Sequence, residues 1–94
     1  MNAHRLDSLP PDTRLAVCKL REWYMAREDH RQAELGRRTI GCVLYPNREQ
    51  AVAGAAKRRD LARYFVDINL RHLGCKWDDL NSIYVEVFGY EGIL

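Results

Sequence analysis

The chain has 94 residues and a mass of 11.0 kDa, which is enough for one small domain with a single core. Hydrophobic residues make up 47% of it and charged residues 30%, and these globular values exclude a disordered, collagen-like or linker-like chain. A formal net charge of +2 is too small to indicate a nucleic acid or a membrane as the partner.

Targeting signals and cysteines bear on the cellular compartment. No stretch approaches the ~18 consecutive apolar residues that span a bilayer, and residues 1–12 lack the apolar core of a secretory signal. We therefore expect a cytoplasmic protein with no membrane partner. The three cysteines, Cys18, Cys42 and Cys75, are odd in number and widely spaced, so we expect them to be reduced and buried.

The first long helix is predicted at residues 13–35. Pro11 suits a first helical turn, and Asp12 complements the positive end of the helix dipole. Gly36 is a typical stop signal just past a helix end. Helical spacing predicts that one face is buried, and its members are Leu15, Ala16, Leu20, Trp23, Ala26 and His30.

The next segment, residues 39–45, is predicted to be an extended connector. It is short, contains β-branched and aromatic residues, and is followed by the turn residues Pro46 and Asn47. Asn47 is also a good N-cap, since its side-chain oxygen can accept from the first free backbone N–H groups of a helix. A second long helix is therefore predicted at residues 47–73, with Gly74 as its stop signal.

The second half of this helix is apolar on two sides. One stripe comprises Leu61, Tyr64, Phe65 and Ile68. The other comprises Ala62, Val66, Leu70 and Leu73. A third strip, spaced by four and formed by Arg59, Arg63, Asp67 and Arg71, is expected to be fully solvated. Apolar residues on two sides predict that this helix is the central element of the fold.

The C-terminal segment fits two structures. Trp77 and Leu80 begin an i, i+3, i+4, i+7 series of apolar residues, which predicts an amphipathic helix at residues 78–88. The β-branched residues Ile83, Val85 and Val87 also alternate with other side chains over residues 82–88, as in a strand. Such a strand would pair with residues 39–45. The helix explains Trp77 and Leu80 and the strand does not, so the helix is favoured.

The predicted fold class is therefore mainly α, with two long helices, a shorter C-terminal helix and an extended connector. The alternative is an α+β fold in which the connector pairs with a C-terminal strand. All 94 residues are expected to form a single small globular domain, with residues 1–9 as a loose N-terminal arm.

Catalytic and metal-binding motifs are missing from the sequence. It has no nucleophile elbow, zinc-protease helix or phosphate-binding glycine loop. His72, Cys75 and Asp78 are neighbours in sequence and could in principle form a catalytic set. Packing of Cys75 in the core and capping of the negative helix end by His72 explain these residues without a catalytic role. A zinc site would need a second Cys or His pair. We expect no enzymatic activity, no metal, no cofactor and no small-molecule substrate.

Charge is unevenly distributed along the chain. Residues 35–76 hold nine basic and three acidic side chains, net +6, whereas residues 77–94 hold four acidic side chains and no basic one. A patch of basic side chains can release counterions from a phosphate backbone. The candidate nucleic-acid-binding residues are Arg37, Arg38, Lys57, Arg58, Arg59 and Arg63. A solvated helix face that meets the acidic C-terminal segment explains the same pattern.

Nine aromatic residues in so short a chain favour a protein partner, because Trp, Tyr and Arg are enriched at interface hot spots. The tail is the candidate partner-binding segment, through Tyr90, Ile93 and Leu94.

The sequence thus predicts a small non-catalytic interaction protein, an inhibitor or adaptor that binds a protein or a macromolecular complex. By analogy with the small inhibitors and adaptors that phages and plasmids carry, this prediction includes a phage or plasmid origin. A homodimer is the simplest form of such contact, since a small core gains by pairing with a copy of itself. The alternative is a nucleic-acid-binding regulator that uses the arginine-rich central segment.

Overall fold

The structure, a computed structural model, describes residues 3–89 of the chain, with side chains from residue 6 onward. Its elements are α1 (Ala3–Ser8), α2 (Pro11–Glu34), β1 (Thr39–Ile40), β2 (Val43–Leu44), α3 (Arg48–Leu73) and α4 (Trp77–Phe88). The long helices α2 and α3 lie side by side and antiparallel, and the short elements pack on this helical hairpin. The predicted mainly α fold, with two long helices and a shorter C-terminal helix, is confirmed.

Local signals in the sequence account for the ends of the long helices. α2 begins at Pro11, one residue after the extended Pro10, and ends at Glu34. At the start of α3, the side chain of Asn47 accepts a hydrogen bond from the backbone N–H of Gln50 at 2.9 Å. Gly74 ends α3 with a φ of 67°, a left-handed conformation that glycine adopts without a Cβ clash.

The predicted extended connector forms a minimal antiparallel β-hairpin. Thr39 pairs with Leu44 and Ile40 with Val43, which leaves Gly41 and Cys42 as the two-residue turn. Gly41 has a φ of +63°, and in a two-residue hairpin turn such a value favours glycine. The strands pair with each other, so the alternative pairing of residues 39–45 with 82–88 does not form.

Residues 82–88 belong instead to α4, as the helical spacing predicted. The backbone N–H of Lys76 donates to the carboxylate of Asp79 at 3.1 Å, which closes the start of the helix. Leu80, Tyr84 and Val87 are buried along one side of α4. These three positions follow helical spacing. In a strand the same residues would lie on both faces of the sheet, and they could not all be buried on one side.

The N-terminal segment differs from the expected loose arm, because Ala3–Ser8 form the short helix α1. Leu6 and Leu9 pack against the main core cluster, and α1 contacts α4. Apolar partners supplied by distant elements stabilise a segment whose own sequence carries no strong helix signal.

The main core lies where α4 covers one side of the helical hairpin. Leu20 and Tyr24 of α2 and Val66 of α3 pack there against Leu80 and Tyr84 of α4. The Tyr24 hydroxyl donates to the side-chain oxygen of Asn81 at 2.6 Å. Burial raises the pKa of both tyrosine phenols, so both stay neutral and compatible with an apolar core at physiological pH.

A smaller cluster lies under the β-hairpin, where Ile40 packs against alanines of both long helices. The alanines are Ala33 of α2 and Ala51 and Ala55 of α3, all fully buried. Small side chains at these positions let the hairpin and the two helices approach one another closely. The β-hairpin is therefore a packed part of the fold.

One ion pair on the surface of α2 gives a testable pH dependence. The Arg31 guanidinium donates to both carboxylate oxygens of Glu28, at 2.6 and 2.9 Å, and Gln32 adds a third hydrogen bond at 3.0 Å. These hydrogen bonds lower the pKa of Glu28 to about 2. The ion pair therefore stabilises the folded state at pH values above the pKa of Glu28 in the unfolded chain. This stabilisation is lost as the pH falls toward the pKa of Glu28 in the folded chain.

We therefore expect an NMR titration of the Glu28 carboxyl to show a midpoint near 2. In the Arg31→Ala variant the midpoint should return toward the ordinary range of a glutamate, since the largest cause of the shift is removed. An unchanged midpoint in that variant would contradict the assigned cause.

Candidate interaction surface

The two apolar stripes of α3 have different surroundings. In one stripe Val66 is fully buried, and Leu70 and Leu73 pack against the main core beside α4. The other stripe lies on a side that α4 does not reach. Its members are exposed by more than a third of their surface: Leu61 (56%), Tyr64 (59%), Phe65 (38%) and Ile68 (39%). One of the two apolar sides of the central helix is thus left open.

Large apolar residues of α2 lie on the same side. Met25 is 59% exposed and Leu15 is 51% exposed, and a groove of about 320 Å³ runs between the two helices at Met25, Leu61 and Phe65. We call this surface the open face; it comprises Leu15, Lys19, Glu22, Met25 and Asp29 of α2 and Arg58, Leu61, Phe65 and Ile68 of α3. Contiguous apolar surface of this kind is typical of a binding site for another macromolecule.

The β-hairpin closes one end of the open face. Gly54, Arg58, Leu61 and Phe65 follow one another at steps of four, three and four residues, so they share one side of α3. Tyr45 lies directly over Gly54, and the Gly41 turn lies against the Arg58 guanidinium. The hairpin therefore covers the first half of this side and leaves the second half open.

Charged residues line the groove in balanced numbers. The Lys19 ammonium is 3.3 Å from a carboxylate oxygen of Glu22 and 5.3 Å from the centre of the Phe65 ring, so it reaches across the groove. Among the residues described here, Asp29 and Arg58 have no ion-pair partner. Two positive and two negative groups thus frame an apolar floor, and only one pair of them is used within the chain.

Four of the six candidate nucleic-acid-binding residues lie toward the β-hairpin. Arg37 and Arg38 follow the end of α2 and are exposed, and Arg38 donates to the carbonyl of Pro46 at 2.9 Å. Arg58 lies against the hairpin turn, and Lys57 is exposed beside it on α3. The structure therefore gathers part of the basic set at one end of the molecule.

The other two, Arg59 and Arg63, point toward α2 and α4. Arg59 is 3.3 Å from the Asp60 carboxylate and 3.4 Å from a ring nitrogen of His30. Arg63 is 3.3 Å from the Asp67 carboxylate, and its guanidinium lies 4.3 Å from the Trp77 ring centre. This strip is therefore not fully solvated as expected. Arg59 is partly buried beside His30, and Arg63, although half exposed, lies against the Trp77 ring.

The tail residues Tyr90, Ile93 and Leu94, predicted to bind a partner, lie outside the described residues. Their role therefore stays a prediction.

The residues considered for catalysis have ordinary partners. His72 is 3.3 Å from the Asp12 carboxylate and links the C-terminal end of α3 to the start of α2. Cys75 is half-buried against the main core. Cys18, Cys42 and Cys75 are all free thiols, but Cys42 is exposed in the hairpin turn, so the expectation of burial is wrong there. Within residues 3–89, no group of three His, Cys, Asp or Glu side chains is arranged to hold a metal ion.

The helical-wheel pattern does not predict the exposure of two residues of the open face. Leu15 shares the predicted buried face of α2 by its helical angle, yet it is half exposed. Met25 lies on the polar side of the helical wheel and carries no signal of its own. The available signal was the second apolar stripe of α3, since a helix with two apolar sides needs two sets of neighbours and the chain has few elements to supply them.

Comparison with protein-family models, curated proteins and solved structures finds no match to this chain. Within the described part of the chain, no helix has the length and apolar composition to cross a membrane.

Proposed function

We propose that the protein is a non-catalytic interaction protein, an inhibitor or adaptor, whose open face binds an apolar helical surface of a partner protein. The observation that carries this proposal is the second apolar stripe of α3, which lies uncovered beside Met25 and Leu15. Soluble chains rarely leave a contiguous set of large apolar side chains in water unless a partner covers them.

The shape of the open face favours a helix as the bound element. Two antiparallel helices side by side form a groove, and the apolar stripe of a third helix packs into such a groove along its length. The floor is apolar at Leu61 and Phe65, while Lys19 and Asp29 stand at its edges. An apolar floor supplies affinity, and the charges at the edge discriminate between partners.

The alternative, a nucleic-acid-binding regulator, has support from Arg37, Arg38, Lys57 and Arg58 near the β-hairpin. It has less support than the protein-binding proposal, because Arg59 and Arg63 already have carboxylate and aromatic partners within the chain. The two classes differ in their response to salt, since binding through phosphate contacts weakens steeply as salt rises whereas apolar contacts persist.

Leu61→Glu and Met25→Glu place a charge on the open face from two different helices. We expect each to reduce partner capture more than tenfold, because the bound state would bury an unpaired carboxylate. The measurement is affinity capture from the source cell's lysate, after nuclease treatment and at high salt, with quantitative mass spectrometry of the retained proteins. The matched control is Leu35→Glu, which adds the same charge at an exposed leucine beyond the end of α2.

Three outcomes separate the hypotheses. A protein held by the wild type and by Leu35→Glu, but lost from both open-face variants, supports the proposal. Capture lost only when residues 90–94 are removed would assign binding to the tail. Capture lost on nuclease treatment, and reduced by Arg37→Ala with Arg38→Ala, would favour the nucleic-acid regulator instead.

A further inference from the structure

We propose that the open face also binds the open face of a second copy of this chain, in an antiparallel two-fold dimer that must dissociate before a partner binds. This inference rests on the proposed function, because it names what covers the same docking surface in the free protein. A surface that is covered by itself until a partner competes for it is protected from non-specific association.

The β-hairpin decides the orientation of the two copies. It stands on the same side of α3 as the open face and occupies the half that begins at Arg48. A two-fold axis parallel to the helices would give a parallel dimer, in which the two β-hairpins face each other and collide. An axis perpendicular to the helices sets each open half against the other, with each β-hairpin beyond the end of its partner's open half.

Charge supports the same arrangement. The open face carries Lys19 and Arg58 against Glu22 and Asp29, so it meets a copy of itself with no net repulsion. The parallel arrangement would instead set the basic β-hairpin ends of both copies, with Arg37 and Arg38, side by side.

The area of the open face predicts the strength of the dimer. The uncovered half of α3, residues 58–73, is about 24 Å long, and two adjacent helices are about 20 Å wide. Each copy would therefore contribute roughly 500 Å², which totals about 1,000 Å² and falls at the low end of specific interfaces. We expect a reversible dimer with a Kd in the micromolar range, weak enough for a partner to displace.

Sedimentation equilibrium from low micromolar to submillimolar concentration tests self-association. The apparent mass of the wild-type chain should rise from 11.0 kDa toward twice that value. Leu61→Glu and Met25→Glu should each raise the dimer Kd more than tenfold, since the charge enters the interface twice. Leu35→Glu should dimerise like the wild type, and circular dichroism melts of all variants verify that they are folded.

A distance measurement tests the orientation. In a chain whose three cysteines are replaced by alanine, a spin label at Arg37→Cys lies about 22 Å along α2 from the middle of the open face, at 1.5 Å per residue. The antiparallel dimer predicts about 45 Å between the two labels, and a parallel dimer predicts about 20–25 Å, the width of the bundle. The shorter distance would overturn the antiparallel arrangement.

The outcomes distinguish this inference from the proposed function. A wild-type chain that stays monomeric at every concentration would overturn self-association, while loss of partner capture by Leu61→Glu would still support the docking surface. Dimers that persist unchanged in both Leu61→Glu and Met25→Glu would show that the copies meet elsewhere, which also overturns the inference.

Discussion

Replacing Leu20 by alanine is expected to lower the free energy of unfolding by about 2–5 kcal/mol. Leu20 is fully buried in the main core, in the cluster that also contains Val66 of α3 and Tyr84 of α4. The truncation removes apolar contacts and leaves a cavity that three packed helices cannot fill without moving apart. In a domain of this size the midpoint of thermal unfolding should fall by roughly 4–8 °C for each kcal/mol.

Leu15→Ala is the matched control, because it makes the same truncation in the same helix on a residue that is 51% exposed. We expect a change within about 0.5 kcal/mol when unfolding is measured at low protein concentration. Denaturant unfolding followed by circular dichroism measures both variants. Equal losses in the two would contradict the described packing of α2, since only a covered Leu15 would cost as much as Leu20.

Replacing Gly54 by alanine is expected to destabilise the protein, against the usual trend for helices. Alanine in a helix interior is normally about 1 kcal/mol better than glycine. Here a methyl group on Gly54 would lie only 2.5 Å from Cζ of Tyr45, so the ring would have to leave its place beside the small cluster. Displacing a packed side chain costs about 1–3 kcal/mol, which exceeds the gain in helix propensity. The expected net loss is about 1 kcal/mol.

A double-mutant cycle with Tyr45→Ala isolates this contact. Once the ring is removed, Gly54→Ala should stabilise the protein by up to about 1 kcal/mol, because only the propensity term remains. The change of sign between the two backgrounds is the diagnostic result, and chemical denaturation of the four chains measures it. Gly54→Ala that stabilises the protein even with Tyr45 present would contradict the close approach of the β-hairpin to α3.

Helix ends were predictable from the sequence because their causes are local. Asn47 accepts from a backbone group three residues later, and Gly74 relieves a steric clash at its own Cα. Neither effect depends on a distant part of the chain. The same holds for α4, whose apolar positions repeat at helical spacing from Trp77 onward.

Contacts between distant elements were not predictable in the same way. The sequence shows two apolar stripes on α3. Both follow the same helical spacing, so the spacing does not indicate which stripe α4 covers. It also predicts Arg63 as solvated, since the Trp77 ring that lies beside its guanidinium comes from another helix. The short helix α1 depends on the same kind of partner, because Leu6 and Leu9 gain apolar contacts only once α4 is in place.

The mainly α class, the ends of the long helices, the C-terminal helix and the surplus of apolar surface on the central helix could all be inferred from the residues alone. Helix propensity, capping and hydrophobic periodicity depend on residues close together in the sequence, so the features that they cause can be predicted from the sequence. Which apolar surface stays open could not be inferred in this way. That choice follows from the packing of α4 on one side of the helical hairpin and of a six-residue β-hairpin on half of the other. Apolar burial is non-directional, so the stripe that finds a neighbour becomes core and the stripe that finds none becomes the open face.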